Sequence, residues 1–215
     1  MRLNVGCGQT PTSGWNNFDN SFSLRLARWP RLSTLAGRLG LLEPTQVAFV
    51  EFAGREHVEW ADACRLPCAD GSVDALYTSH MLEHLDQAEA QRFLAEALRV
   101  LCPGGILRIA VPDLGRMVAA YVDSGDADAF IAATLMAVPK PKTFAQRLRL
   151  AIVGPRHHHW LYDCQSLCKL LTTNGFSGAV GWDAGTTGIP DPGALDLREH
   201  ESETLYVEAT KPPMV

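Results

Sequence analysis

Glycines near the start of the chain and polar residues further along it have the types and spacing of a ligand site. They are Gly6, Gly8, Asp19, Asp62, Ser79, His80 and Asp113. Glycines allow a backbone to approach a bound ligand closely. A carboxylate at Asp19 can accept two hydroxyl hydrogen bonds from a ribose, and one at Asp62 suits the exocyclic amine of an adenine. The two glycines alone are a weak signal, whereas the ordered set is a much stronger one.

Histidines and cysteines raise the question of a metal site. Three histidines follow one another at 157–159. Three consecutive side chains cannot all converge on one ion without a special turn, so we predict no metal there. The pairs Cys64/Cys68 and Cys164/Cys168 are spaced i, i+4, unlike the C-x2-C knuckles usual for zinc. We expect these cysteines to be small buried apolar side chains.

Strand-like and helix-like segments alternate for most of the chain, which predicts an α/β fold with a mostly parallel sheet covered by helices. Strands are predicted at 3–5, 15–19, 57–60, 73–78, 106–111, 177–182 and 204–209. Each glycine and polar residue of the candidate ligand site, from Gly6 to Asp113, lies at or just after the end of one of the first five strands. Because ligands bind at the carboxyl ends of the strands in such a sheet, we expect these residues to meet at one edge.

The connection between the first two strands is short. Only six residues separate Gly8 from Trp15, and they include Pro11 and Gly14. The helix usually found there must be very short or absent. Pro11 also stands where a G-x-G-x-x-G dinucleotide fingerprint requires glycine, and the sequence contains no G-x-x-x-x-G-K-[ST] phosphate loop. Hydride transfer and nucleotide hydrolysis are therefore disfavoured.

The clearest helix runs from about 87 to 101, and Asp86 and Glu89 are spaced as its capping box. We expect Pro103-Gly104-Gly105 to stop it. Further helices are predicted at 114–123, 126–137 and 143–153. Asp113 and Asp163 are candidate N-caps, the second for a last helix that Asn174-Gly175 would end.

Two segments, 21–56 and 114–160, are predicted to be helical insertions in a single domain spanning 1–215. Each carries basic residues in a stretch without acids. These residues are Arg25, Arg28, Arg31 and Arg38, and Lys140, Lys142, Arg147, Arg149 and Arg156. Paired over the strand ends they would form a lid for an anionic acceptor. Solvated arginine faces and docking on an anionic membrane surface are the alternatives.

The composition is that of an ordinary soluble globular protein, with 47% hydrophobic and 20% charged residues. The formal charge of -5 argues against nucleic-acid binding driven by bulk electrostatics. No stretch approaches the roughly 20 apolar residues of a membrane span. A strand begins by Leu3, which leaves no room for a secretory signal. We therefore expect a cytoplasmic protein whose six cysteines are thiols.

Several runs of the sequence resemble the class I S-adenosylmethionine (SAM)-dependent methyltransferases, especially the subgroup called type 11. They are Asn4–Gly8, Asp62–Pro67, Gly71–Asp74, His80–Leu85 and Leu98–Gly105 followed by Leu107. Looser matches at 159–163, 175–176 and 205–209 are similar to methyltransferases associated with cell-surface polysaccharide genes. The resemblance implies a Rossmann-like, seven-stranded, mostly parallel sheet flanked by helices, with SAM as cofactor.

Carried over by position, the resemblance also implies cofactor-binding residues. Gly6, Cys7 and Gly8 would border the methionine part of SAM, Asp19 would hold the ribose, Asp62 and Ala63 would receive the adenine, and Ser79 and His80 would line the sulfonium side. Two positions depart from the family pattern. Asn4 stands where an acid is common, and Thr10 stands where a third glycine is common.

Methyl transfer from a sulfonium mainly requires that the acceptor be positioned and water excluded. A base near a hydroxyl acceptor would add a typical factor of about 10² to 10⁴. We predict His80 and His159 as the catalytic residues, with His84, Tyr162 and Asp113 as further candidates. The acceptor is predicted to be a small molecule or saccharide, and the basic insertions favour an anionic one. The alternative is a SAM-binding or regulatory protein that has lost the transfer reaction.

Overall fold

A computed structural model describes residues 1–21, 24, 52, 55–137 and 157–213. These residues contain a seven-stranded sheet. The strands are β1 Arg2–Val5, β2 Asn16–Asp19, β3 Glu59–Trp60, β4 Val73–Ser79, β5 Leu101–Pro112, β6 Ser177–Trp182 and β7 Thr204–Thr210. Their order is β3-β2-β1-β4-β5-β7-β6. The first five strands are parallel, and β7 is antiparallel to both β5 and β6. This arrangement confirms the predicted fold class. The order of the strands along the sheet reverses direction between β1 and β4.

Residues 6–15, between β1 and β2, contain no helix, as predicted. A network of side-chain hydrogen bonds holds this connection instead. The buried Asn4 amide donates to the Thr10 carbonyl and to the Thr12 hydroxyl, both at 3.1 Å. Asn17 in turn accepts from the Thr12 N–H at 2.7 Å and donates to the Thr12 and Trp15 carbonyls. Because a carboxylate cannot donate, the amide at position 4 is matched to this short loop.

Helix α1, Gln87–Val100, begins with the predicted capping box. Asp86 accepts from the Glu89 N–H at 2.7 Å, and Glu89 accepts from the Asp86 N–H at 3.1 Å. The helix buries Phe93 and Leu94 completely against the sheet. Burial of such a side chain contributes about 1.5–3 kcal/mol. This helix forms one wall of the main core.

Helix α1 ends at Val100, within one residue of the prediction, but the predicted start of β5 at 106 was wrong by five residues. The chain passes directly from α1 into β5 at Leu101, so the Pro103-Gly104-Gly105 run lies inside the strand and does not precede it. Long-range pairing explains the difference. Gly104 donates to the Lys211 carbonyl, Lys211 donates back to the Gly105 carbonyl, and Leu101 pairs with Val73 of β4.

Among the residues that the structure describes, three further helices follow β5, and each has an aspartate N-cap. They are α2 Leu114–Ser124, α3 Ala127–Thr134 and α4 Cys164–Thr173, capped by Asp113, Asp126 and Asp163. Asp113 accepts from the Gly115 N–H at 2.9 Å, which confirms its capping role. Helix α3 ends at Thr134, three residues earlier than predicted, because Leu135 adopts a left-handed conformation. The six cysteines are free thiols.

Most of the predicted insertion 21–56, and residues 138–156 of the insertion 114–160, lie outside the described residues. The helix predicted at 143–153 and all nine basic residues of the two clusters fall in these segments. The second insertion is described at 114–137, which contain α2 and α3, and at 157–160, which contain no helix. Within the described part of the chain, no helix is long and apolar enough to cross a membrane.

A buried ion pair joins β5 to β7. Arg108 and Glu208 are opposite each other in the antiparallel register, and their Nη1 and Oε1 atoms are 2.6 Å apart. Arg108 also donates to the Thr186 carbonyl, and Glu208 accepts from the Thr187 hydroxyl and the Gly188 N–H. The pair therefore fixes the loop after β6 against one face of the sheet.

Candidate functional site

The glycine loop after β1 is tied to the end of β2. The Gly6 and Cys7 N–H groups donate to the Phe18 carbonyl at 2.8 and 3.2 Å. Gly6 has a φ of 73°, and a Cβ at this residue would lie 2.6 Å from Cγ of Met81, so glycine is required for both reasons. Gly8 also has a positive φ, but the space around it is open. The loop therefore presents an accessible backbone at Gly8.

Cys7 faces away from this open side. Its side chain is buried with Leu24 and Val58 in a small apolar cluster. Burial, with a further contribution from the Asp19 carboxylate, raises the pKa of the Cys7 thiol to about 12. The group is a neutral core thiol, so any contact of Cys7 with a ligand would come from its backbone.

Asp19, at the end of β2, lies directly against the glycine loop. Its Oδ2 atom accepts from the Gly8 N–H at 3.1 Å, and its Oδ1 atom accepts from the Ser21 N–H at 2.7 Å. Each carboxylate oxygen has a second acceptor site that these bonds leave open. The fold thus brings together the acid and the glycine that the sequence separates by ten residues.

Asp62 and Ala63 follow β3 on a loop that α1 holds in place. Asp62 is exposed and accepts from the Cys64 N–H at 2.9 Å, whereas Ala63 is buried in the main core. Glu96 of α1 accepts from the Leu66 N–H at 2.6 Å, and Arg99 donates to the Leu66 carbonyl. The hydrogen bonds from Arg99 hold the pKa of Glu96 below its ordinary value.

Ser79 and His80 are at the carboxyl end of β4. The Ser79 hydroxyl is buried and has no hydrogen-bond partner among the described residues. His80 is held in a left-handed conformation, with φ 47°. Its Nε2 atom is 3.1 Å from the Thr204 hydroxyl, and its Nδ1 atom is 3.3 Å from Glu83 Oε1. Ser79 and His80 therefore place polar atoms at the carboxyl end of β4, on the same edge of the sheet as Gly8 and Asp19.

The three consecutive histidines have different environments. His159 is exposed, and its ring lies against that of His157 with centroids 4.4 Å apart. Its backbone N–H donates to the Glu83 carbonyl at 2.7 Å. His158 is buried, with Nε2 4.0 Å from Glu83 Oε1, and this burial lowers its pKa. The sequence singled out His159, but the fold turns His158 inward.

An apolar cleft of about 570 Å³ lies beside these residues. It is lined by Leu114, Phe130, Ile131, Thr134, Met136, Ala137, Trp160 and Leu161. The Trp160 N–H donates to the Glu83 carbonyl, and the Leu114 N–H donates to the Tyr162 carbonyl. These bonds attach the cleft to the loops that follow β4 and β5. Neither His159 nor His80 lines it. Sequence reasoning missed the cleft, for which the exposed apolar residues of α3 were the available signal.

The comparisons with known proteins agree with this arrangement. Residues 42–109, about a third of the chain, match the family described as "Methyltransferase domain". An uncharacterised 37.1 kDa protein in a transposon of Streptomyces fradiae is 42% identical over 66 residues. That match spans 31% of this chain but only 19% of the longer relative.

Two solved structures align with nearly the whole chain. A SAM-dependent methyltransferase from Methanosarcina mazei has a TM-score of 0.52 and 17% identity, with 99% of this chain and 92% of that chain covered. A SAM-dependent methyltransferase from Thermotoga maritima, a possible histamine N-methyltransferase, has a TM-score of 0.47 and 16% identity, covering 98% and 82%.

The chain therefore has the fold of the class I SAM-dependent methyltransferases. The family match falls on the segment that contains Asp62, Ser79 and His80. Fold and family match together support a SAM-dependent methyltransferase. None of the proteins just described is named for a polysaccharide, so that association stays a prediction.

Proposed function

We propose that the protein transfers a methyl group from SAM to a small-molecule acceptor. The observation that carries the proposal is the hydrogen bond between the Gly8 N–H and the Asp19 carboxylate, which joins a glycine loop and an acid at the carboxyl ends of neighbouring parallel strands. This pairing supports a cofactor that combines an extended chain with a ribose. The family match supports SAM as that cofactor.

Each part of SAM has a chemically suitable group in this arrangement. The Gly6–Gly8 backbone would border the methionine part, and the free acceptor sites of Asp19 suit the ribose hydroxyls. Asn4 Oδ1 is buried and without a hydrogen-bond partner among the described residues, so it is available to accept from the ammonium group. Asp62 and Ala63 would meet the adenine. The buried Ser79 hydroxyl would line the sulfonium side.

His80 is the proposed base for a hydroxyl acceptor. SAM supplies the activated methyl group and its own leaving group, so the protein has to bind, orient and deprotonate the acceptor. The contact of His80 Nδ1 with the Glu83 carboxylate, at 3.3 Å, would stabilise the imidazolium that forms when Nε2 takes a proton. Nε2 contacts the buried Thr204 hydroxyl at 3.1 Å, and an acceptor hydroxyl would have to replace this contact. His159 is exposed, and a catalytic role for it stays a prediction.

The apolar cleft is the proposed acceptor site. Its described walls are almost entirely hydrophobic, which favours an acceptor with an apolar body. His80 does not line the cleft, so the methylated atom of the acceptor would have to extend beyond it to reach this base. The predicted preference for an anionic acceptor or a saccharide rests on the basic residues of the insertions 21–56 and 114–160. These basic residues lie outside the described part of the chain. The assay therefore tests separately whether a phosphate or carboxylate on the acceptor improves methyl transfer.

The proposal is tested by incubating the protein with SAM that carries a ¹³C-methyl group and a panel of acceptors. The panel pairs each apolar phenol or amine with a phosphorylated analogue and includes free and phosphorylated sugars. A new ¹³C-methyl signal in one of the acceptors supports the proposal. Tight binding of SAM without transfer to any class of acceptor would favour the SAM-binding or regulatory alternative.

A further inference from the structure

Glu83, in the 3-10 helix Leu82–His84 after β4, is a buried acid with an unusual environment. Its side chain is fully inaccessible to solvent. Oε1 lies 3.3 Å from His80 Nδ1, whereas Oε2 has no hydrogen-bond partner among the described residues. Burial of an ionised carboxylate is costly unless a cation compensates it. His80 can compensate the charge at Oε1 only, so a further positive charge near Oε2 would stabilise the ionised carboxylate.

Histidine rings surround this carboxylate. His158 Nε2 is 4.0 Å from Glu83 Oε1, and the His158 side chain is 95% buried. The His84 ring packs edge-to-face against that of His158, with centroids 5.0 Å apart. One ligand atom from each of Glu83, His84 and His158 lies within 4.8 Å of the other two. Two imidazoles and a carboxylate thus converge from two separate segments of the chain.

The backbone holds these side chains in place. His84 Nδ1 is 3.0 Å from the His157 carbonyl, so Nδ1 is the protonated nitrogen and Nε2 keeps its lone pair. Metal-binding histidines commonly donate their second ring nitrogen to a backbone carbonyl in this way. The Glu83 carbonyl accepts from the His159 and Trp160 N–H groups, which fixes the histidine segment beside the 3-10 helix.

We propose that Glu83, His84 and His158 bind one divalent transition-metal ion of the zinc type. Two imidazoles with one carboxylate are a known zinc ligand set, and they leave one coordination position for water. Imidazole ligands favour zinc over magnesium or calcium. Tetrahedral zinc places its ligand atoms roughly 3.4 Å apart, so the side chains would close by about an ångström.

This site differs from the run of histidines considered in the sequence. Three consecutive side chains cannot share one ion, and the proposed site uses only the central one, His158. The half-buried ring of His157 and the exposed ring of His159 are close enough to each other to hold metal weakly near the surface. A test must therefore separate the buried site from this pair. The proposal does not depend on the proposed methyl transfer.

The experiment measures Zn²⁺ binding to the full, untagged chain by calorimetry, with Co²⁺ absorption spectra as a second readout. The proposal expects one ion per chain. It also expects a loss of affinity of more than about 100-fold in Glu83→Gln and His158→Asn, since loss of a mere supporting group costs 10- to 100-fold. The double variant His157→Asn/His159→Asn is the matched control and should bind as the wild type does.

Absence of stoichiometric binding to the wild type would overturn the proposal. So would binding that disappears in the control variant but persists in His158→Asn, because the ion would then be on the surface pair. Circular dichroism of each metal-free variant checks its fold. If the variants of the buried residues do not fold, His84→Asn replaces an exposed ligand and should lose the ion by itself.

Discussion

Replacement of Asp19 by asparagine tests the cofactor site at the residue that joins the end of β2 to the glycine loop after β1. The carboxylate accepts from the Gly8 and Ser21 N–H groups, at 3.1 and 2.7 Å, and would accept the ribose hydroxyls at its remaining sites. Asparagine has one acceptor oxygen and no charge. At least one charged hydrogen bond to the ribose is therefore lost, which costs about 1.5–3 kcal/mol. The dissociation constant for SAM should rise about 10- to 150-fold.

The assay is calorimetry with S-adenosylhomocysteine and with its 2′,3′-dideoxy analogue. The wild type should bind the analogue more weakly, and Asp19→Asn should discriminate little between the two ligands, since the partner of the hydroxyls is gone. Asp123→Asn, which removes an exposed carboxylate from α2, is the charge-matched control. An Asp19→Asn variant that binds within twofold of the wild type, or discriminates as strongly, would refute the ribose assignment.

Four other changes follow from the structure. Glu208→Ala leaves the buried guanidinium of Arg108 unpaired and should lower the free energy of unfolding by about 3–5 kcal/mol in urea denaturation; a loss below about 1 kcal/mol would contradict the buried ion pair. Asn4→Asp removes two donors from the β1–β2 loop and should cost about 1–3 kcal/mol in the same assay, whereas unchanged stability would mean that the amide is dispensable. His80→Ala should lower kcat for a hydroxyl acceptor about 10²- to 10⁴-fold with little change in SAM affinity, and an unaffected kcat would remove the base. The lowered pKa of Glu96 means that its stabilising effect is complete above pH 4.5 and is lost as the pH falls through that lowered value, so the difference in Tm between wild type and Glu96→Gln should shrink only in acid.

The sequence predicted those features whose signals are local. The capping box of Asp86 and Glu89 defines the start of α1, and the shortness of the segment from Gly8 to Trp15 excludes a first helix. The first strands end where their polar residues begin, so the gathering of Gly8 and Asp19 at one edge of the sheet could be expected.

The features that the sequence did not predict depend on contacts between distant segments. Strand β5 continues through Pro103-Gly104-Gly105 because Lys211 pairs with it from the far end of the chain. Nothing local to residues 157–159 tells which histidine faces inward, since that depends on Glu83. The Arg108–Glu208 pair had a usable signal, because opposite charges stand in the middle of two apolar strands that the fold makes neighbours.

Binding of SAM by the full chain tests the central claim most directly. Calorimetric titration with SAM and with S-adenosylhomocysteine should give one site per chain for each ligand. The two ligands should compete for that site. Absence of binding of either ligand at millimolar concentration would contradict the account, because the glycine loop and Asp19 would then have no cofactor to hold.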